Sequence, residues 1–226
     1  MTRWKPVIDS IQPKLASDSV ELSASSAFLP VTLTRANVSS LFAEADTSTD
    51  AVRAFVASMI WGFGDVGYGP YRTWKMLYNK GKSGIGSLIL EVRNIARESP
   101  AQAYKKLKRK VDNLGPSFAT KVVYFASMPN NRGPILDSIV SSWLWSNNWA
   151  TMESPLDPTV WSIQQYEKYI AFCNQELDNL RVVTELPQNC DDRGFIEYLM
   201  FTDYTYSKYA IEFPDWVRAI PRSLKV

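Results

Sequence analysis

Residues 114–137, LGPSFATKVVYFASMPNNRGPILD, are the stretch on which the reading of this chain turns. Just upstream, AYKKLKRKV (103–111) has helical spacing and puts five positive charges within six residues: Lys105, Lys106, Lys108, Arg109 and Lys110. It runs into a Leu114-Gly115-Pro116-Ser117 corner. A second, apolar helical pattern follows, carrying a single lysine, Lys121. A Pro/Asn/Gly loop then leads to Asp137 at the head of another helical run. A lone lysine and an isolated carboxylate, set behind a basic hairpin, suggest chemistry on a nucleic acid.

The corner supports that direction. Gly115, Ser117 and Ala119 are small enough for a backbone to come close, and the first N–H groups of a helix are suited to holding a phosphate. The candidate DNA contacts are therefore Gly115, Ser117, Ala119 and Thr120, with Lys108 and Arg109 from the basic run. Phosphate contacts of this kind position the nucleic acid without reading its bases. The plain alternative is that the run is a solvated helix face, as most charge runs are. That reading would leave a helical interaction protein.

Composition narrows the chemistry. The 226 residues contain no histidine, which removes Ser-His-Asp triads, Cys-His pairs and His-bound zinc together. Acid–base work must fall to carboxylates, lysine or tyrosine. Cys173 and Cys190 are too few for a four-thiolate iron–sulfur cluster or a four-cysteine zinc site, and no cofactor is expected. Net charge is only +2, so a polyanion partner must be recognised locally. The opening MTRWKPVIDSIQPKLA lacks the apolar core of a secretory signal, and no apolar run is long enough to span a membrane. A cytoplasmic protein without a membrane partner is expected.

Periodicity along the rest of the chain predicts an all-α fold. One helical unit over 1–226 is expected, as a compact body or as lobes flanking a cleft. An irregular lead-in would occupy 1–36, and the hairpin with its reactive segment about 100–148. Asn37 can cap NVSSLFAEA, and Thr49 or Asp50 can cap a helix whose stripe is Val52, Phe55, Val56, Met59 and Ile60. WGFGDVGYGPYRT (61–73), with four glycines and a proline, reads as a loop between helices. Gly81-Lys82-Ser83 lacks the glycine and the preceding strand of a phosphate loop and reads as a solvated turn. Further helices are expected over 85–97, 100–111, 137–148, 159–180 and 191–206, with a proline-bounded linker, TMESPLDP (151–158), between two of them.

LGPSFATKVVYFA followed by GPILDSIV resembles the helix-hairpin-helix-plus-aspartate signature of base-excision DNA glycosylases. Within that superfamily the chain looks most like the 8-oxoguanine DNA glycosylase, OGG-like branch. There a lysine in a Thr-Lys-Val context opens the second hairpin helix, and an aspartate follows a Gly/Pro loop. The matching positions are Thr120-Lys121-Val122 and Gly133-Pro134-Ile135-Leu136-Asp137. The resemblance covers about residues 104–145, and 61–73 also looks like a segment of bacterial OGG-like sequences. Two departures stand out. Ser117-Phe118-Ala119 replaces the usual glycine–apolar–glycine, and the 16 positions from Lys121 to Asp137 (137 − 121) make a shorter connection.

The resemblance implies that Lys121 and Asp137 are catalytic. Breaking an N-glycosidic bond builds positive charge on the sugar, which a fixed carboxylate such as Asp137 stabilises. Lys121, as a free amine, can attack C1′ and form a Schiff base, giving β-lyase chemistry; without that step water is the nucleophile. The target base must leave the stack and be held by aromatic or polar walls. Trp61, Tyr68, Tyr71 and Arg72 in the glycine-rich segment, and Tyr204 and Tyr206 further on, are candidates. The implied partner is DNA containing a modified base. That base is either an 8-oxoguanine-like purine, for repair, or a hypermodified phage base, for antiviral defence. A non-catalytic helix-hairpin-helix module gripping phosphates is the alternative from another class.

Overall fold

The computed structural model describes residues 33–64, 68–80, 82–147, 161–183 and 192–209. Among them the regular elements are helices and none is a strand, so the fold is all-α, of the helix-hairpin-helix glycosylase-like kind. The elements are α1 (Arg35–Ala43), α2 (Ser48–Phe63), α3 (Gly69–Lys80), α4 (Lys82–Glu98) and α5 (Pro100–Lys110). They continue as α6 (Pro116–Ala126), a single tight turn over Pro129–Asn131, α7 (Ser138–Ser146), α8 (Ile163–Val183) and α9 (Arg193–Tyr209). No helix among the described residues is long and apolar enough to cross a membrane.

The first two helices start earlier than their expected caps. Thr34 caps α1 and Thr47 caps α2, each in a reciprocal capping box. Asn37 and Asp50 are the third-position partners whose side chains reach back to the cap, so both belong to the start signal from inside the helix. The expected lead-in therefore ends at Thr34; its residues 1–32, the 151–158 linker, Cys190 and the C-terminal tail lie outside the described residues.

The glycine-rich segment is far less of a loop than its composition suggests. α2 runs on through Trp61 and Gly62 to Phe63, and Gly64, at φ +52°, ends it in a conformation that suits glycine. α3 then opens on Gly69-Pro70, where a proline near the first turn lacks only an N–H that would go unpaired anyway. Lys82 and Ser83, expected in a turn, already belong to α4. Ser99 caps α5 through Gln102 N–H with Pro100 as first residue, as the sequence implies.

Everything is arranged about α6. Each residue from Ala119 to Ser127 is buried. A helix apolar on all sides belongs in the middle of a core. It packs against α1, α2, α4 and α5, while α5 also meets α8, and α7 pairs with α9. Lys121 is the one charged side chain on that central helix.

Candidate active site

Lys121 and Asp137 meet. Lys121 Nζ lies 3.2 Å from Asp137 Oδ2 and donates also to Ser117 Oγ at 3.3 Å, one turn back on α6. Their side chains keep 8% and 16% of their surface exposed. A pair this deep gains from low dielectric and cannot lose one partner without stranding the other. Asp137 is at the same time the N-cap of α7: its Oδ1 accepts from Ile139 N–H at 3.0 Å and Val140 N–H at 3.1 Å. The cap fixes the carboxylate's direction, and the second oxygen is left to face the lysine.

Three local devices bring the pair together. Thr120 stands next to Lys121, and its hydroxyl accepts from Leu136 N–H at 3.1 Å while lying 3.0 Å and 3.3 Å from the carbonyls of Ser117 and Leu136. It ties the loop before Asp137 directly to the lysine's helix. From α8, Tyr166 donates to Pro134 O at 3.0 Å and Tyr169 donates to Ile135 O at 2.9 Å, so two phenols hold the same loop from behind. Burial pushes both hydroxyls well above the ordinary tyrosine value, which keeps them as donors. Gly133 allows the approach, since a Cβ there would sit 2.7 Å from Val123 and 2.9 Å from the Tyr166 oxygen.

Gly62 does the equivalent for the lysine. A Cβ on it would lie 2.9 Å from Lys121 Cδ and 2.8 Å from Phe118 Cε1. The lysine stem is thus sheathed between the α2 backbone and the Phe118 ring, whose centroid is 5.5 Å from Nζ. Phe118 itself stacks on Phe63 at 3.9 Å.

Beside the pair, an open groove of about 580 Å³ is lined by the hairpin turn, by Tyr68 and Arg72 of the α3 approach, by Lys108 of α5, and by Ser138. It reaches the pair through Ser117, bonded to Lys121, and Ser138, next to Asp137. Gly115 is the N-cap of α6 and offers no side-chain cap, so the helix start is open toward the groove. Asn113, at φ +66°, shapes the turn, and its carbonyl accepts from Arg72 at 3.0 Å. Lys108 is bonded to the Trp161 carbonyl, and desolvation lowers its ammonium below the ordinary lysine value.

The other candidate DNA contacts divide. Gly115, Ser117 and Lys108 line the groove. Arg109 is exposed on α5 outside the groove lining, whereas Ala119 and Thr120 are buried in the core. A side chain sealed in the core does not meet a phosphate, so Ala119 supplies packing and Thr120 supplies the loop tether.

The candidate base-pocket residues scatter likewise. Tyr68, Tyr71 and Arg72 belong to the α3 side of the hairpin, with Tyr68 and Tyr71 exposed. Trp61 is on α2 beside Gly62, half-buried, with its ring edge on Phe125 at 5.1 Å. Tyr204 is half-buried on α9, and the side chain of Tyr206 lies outside the described residues.

Next to Trp61 is a cluster that pattern reading missed. Arg35 makes a two-pronged pair with Glu197 at 2.8 Å and 3.2 Å, and its guanidinium faces the rings of Trp61 at 5.2 Å, Tyr124 at 5.0 Å and Tyr198 at 5.9 Å. Burial raises the Glu197 carboxyl above its ordinary value, with Arg35 opposing and Asp137 adding to the rise. The two partners are 162 residues apart, so no local signal announces them.

The family model described as "Putative 8-oxoguanine DNA glycosylase OGG-like protein" matches residues 2–201, far beyond the stretch that carries the sequence resemblance. Neither a curated protein nor a solved structure matches the chain. By that family match the chain belongs to the 8-oxoguanine DNA glycosylase OGG-like proteins.

Proposed function

We propose that this protein excises a modified base from DNA by cleaving its N-glycosidic bond, with Lys121 and Asp137 as the reacting pair. The observation that carries the reading is the 3.2 Å contact between them at the edge of a groove built on the hairpin turn. A binding module has no use for a lysine sunk into its central helix against a carboxylate. In the reaction, the backbone of the target strand lies along the groove and the base turns inward. Asp137 stabilises the positive charge that develops at C1′ as the bond to the base breaks.

The lysine extends this to lyase chemistry. Asp137 is placed to receive the ammonium proton. The Nζ lone pair then attacks C1′ and the base leaves with the bonding electrons, taking up the proton that Asp137 received. The C1′–O4′ bond next breaks with its electrons going to O4′, which takes up a second proton from Nζ, and the nitrogen lone pair closes the protonated imine. β-Elimination of the 3′ phosphate follows from that imine. Trp61, half-buried and next in the chain to the Gly62 that packs on the Lys121 stem, is the aromatic wall we assign to a flat base. Such a wall suits an 8-oxoguanine-like purine, for repair, and a hypermodified phage base, for defence, remains the second substrate class.

The experiment incubates the protein with duplexes carrying a panel of modified bases, 8-oxoguanine and glucosylated hydroxymethylcytosine included, with and without borohydride. Lys121→Gln and Asp137→Asn run alongside. A borohydride-trapped adduct lost in Lys121→Gln supports the full reading. Abasic sites without an adduct remove the lyase step. Duplex binding with no base released from any substrate overturns the enzyme and leaves the phosphate-gripping module.

A further inference from the structure

Helix α3 carries aromatic side chains on an exposed face. Thr73, Met76 and Leu77 turn inward and are buried. On the opposite face Tyr71, Trp74 and Tyr78 are 61%, 41% and 72% exposed. Their rings stack in series: Tyr71 on Trp74 at 6.5 Å and 25°, Trp74 on Tyr78 at 5.0 Å and 18°. Polar side chains at these positions would serve the helix equally well, and a contiguous apolar patch left in water marks a binding surface.

Two features say what covers it. The first is charge: α3, GPYRTWKMLYNK, interleaves Arg72 and Lys75 with the aromatic residues along the sequence and has no acidic residue. The second is continuity. Tyr68, one turn before Tyr71, and Arg72, the residue after it, line the groove beside the hairpin, where Arg72 is anchored to Asn113. Cations and flat rings together, running out of the hairpin groove, match a nucleic acid strand whose bases are free to stack.

We propose that the Tyr71–Trp74–Tyr78 ladder is a stacking platform for unpaired bases of the DNA strand that lies in the hairpin groove. The proposal rests on the DNA glycosylase reading and adds a preference: DNA with a single-stranded stretch next to the duplex binds better than blunt duplex. The outer ring faces of Tyr71 and Tyr78 receive the bases, and Lys75 meets the backbone between them. Each stacked base adds about tenfold to affinity.

The test is fluorescence anisotropy at one fixed salt concentration, with a blunt duplex and the same duplex bearing a short thymidine tail at its 5′ or 3′ end. The wild-type chain is compared with Trp74→Ala/Tyr78→Ala, whose surface changes leave the helical circular dichroism intact. The expected result is a tail-dependent gain of about tenfold or more in the wild type that shrinks to under threefold in the variant, with blunt-duplex affinity within about twofold between them. Equal affinity for tailed and blunt DNA, or a gain that survives in the variant, overturns the platform. So does a concentration-dependent dimer that the variant abolishes, since a second copy would then cover the ladder. Wild-type base release from a blunt modified duplex is read in parallel. If it occurs without a tail effect, only the platform fails; a tail effect without base release from any substrate supports the platform and removes the glycosylase.

Discussion

Asp137 serves two partners with its two oxygens: Oδ2 lies 3.2 Å from Lys121 Nζ, while Oδ1 caps α7 through the N–H groups of Ile139 and Val140. The carboxylate proposed to react and the start of the following helix are one structural unit. Substitutions at this position therefore separate catalysis from capping.

Asp137→Asn keeps a good N-cap but removes the charge; Asp137→Ala removes both. Both variants lose at least about 100-fold in single-turnover base release. Asp137→Ala is less stable than Asp137→Asn by about 1 kcal/mol, the worth of the cap. Urea denaturation of the two variants side by side checks the difference. Equal stability would mean that the cap contributes nothing.

Thr120→Val preserves shape and deletes the hydroxyl that Leu136 N–H donates to. A buried donor left without a partner costs about 1–3 kcal/mol. The loop that places Asp137 loosens with it, so base release falls at saturating substrate more than DNA affinity does. Denaturation and single-turnover rates on the same preparation test both halves.

Gly62→Ala adds one methyl where Lys121 Cδ and Phe118 now lie. Within α2 the change itself favours helix by up to about 1 kcal/mol. Against that, both the lysine stem and the Phe118 ring, itself stacked on Phe63, must shift to make room, so the protein loses about 1–3 kcal/mol from overpacking while base release drops at least about tenfold. A variant as active as wild type would show that the sheath around the stem is immaterial.

Gly115 sits at φ −66°, ψ 160°, a conformation open to any residue, and a Cβ there would meet nothing within 4 Å. Gly115→Val is thus compatible with the fold yet projects into the groove. The expected outcome is a thermal midpoint within a few degrees of wild type and a duplex dissociation constant raised about tenfold or more. Differential scanning fluorimetry and anisotropy check it.

Glu197 sets a pH dependence whose sign follows from burial. Its folded value is raised above 4.5. As pH rises past 4.5 the unfolded chain releases this proton first, so the folded state holds more protons and loses stability until its own carboxyl ionises. Relative to Glu197→Gln, the wild-type chain is most stable below that window and loses its advantage through it. Urea midpoints of both proteins from pH 4 upward test the slope; parallel curves would contradict it.

Much of this was legible in the sequence for physical reasons. The all-α class followed from apolar spacing, and the hairpin and the lone lysine followed from a buried pattern with one charge. Reading all of 61–73 as a loop was too broad, because helices tolerate glycine at a close contact, as at Gly62, and accept Gly-Pro at their start, as at Gly69-Pro70; residues 65–67 between them lie outside the described residues. The hairpin reading counted Ala119, for its small size, and Thr120 among the DNA contacts. Only the helix's rotation against its neighbours shows that they face inward.

By itself the sequence determined the helices, their order, the hairpin corner and the identity of the lysine and carboxylate, because those are set by neighbours a few residues apart. Tertiary structure decided which of those residues meet. It brought Lys121 to Asp137 through the Thr120 tether and the Tyr166 and Tyr169 braces, paired Arg35 with Glu197 across the chain, and left the α3 rings facing out. Such contacts depend on how helices cross and which faces they bury, and the sum of many small packing energies that fixes those crossings leaves no mark in any short stretch of residues.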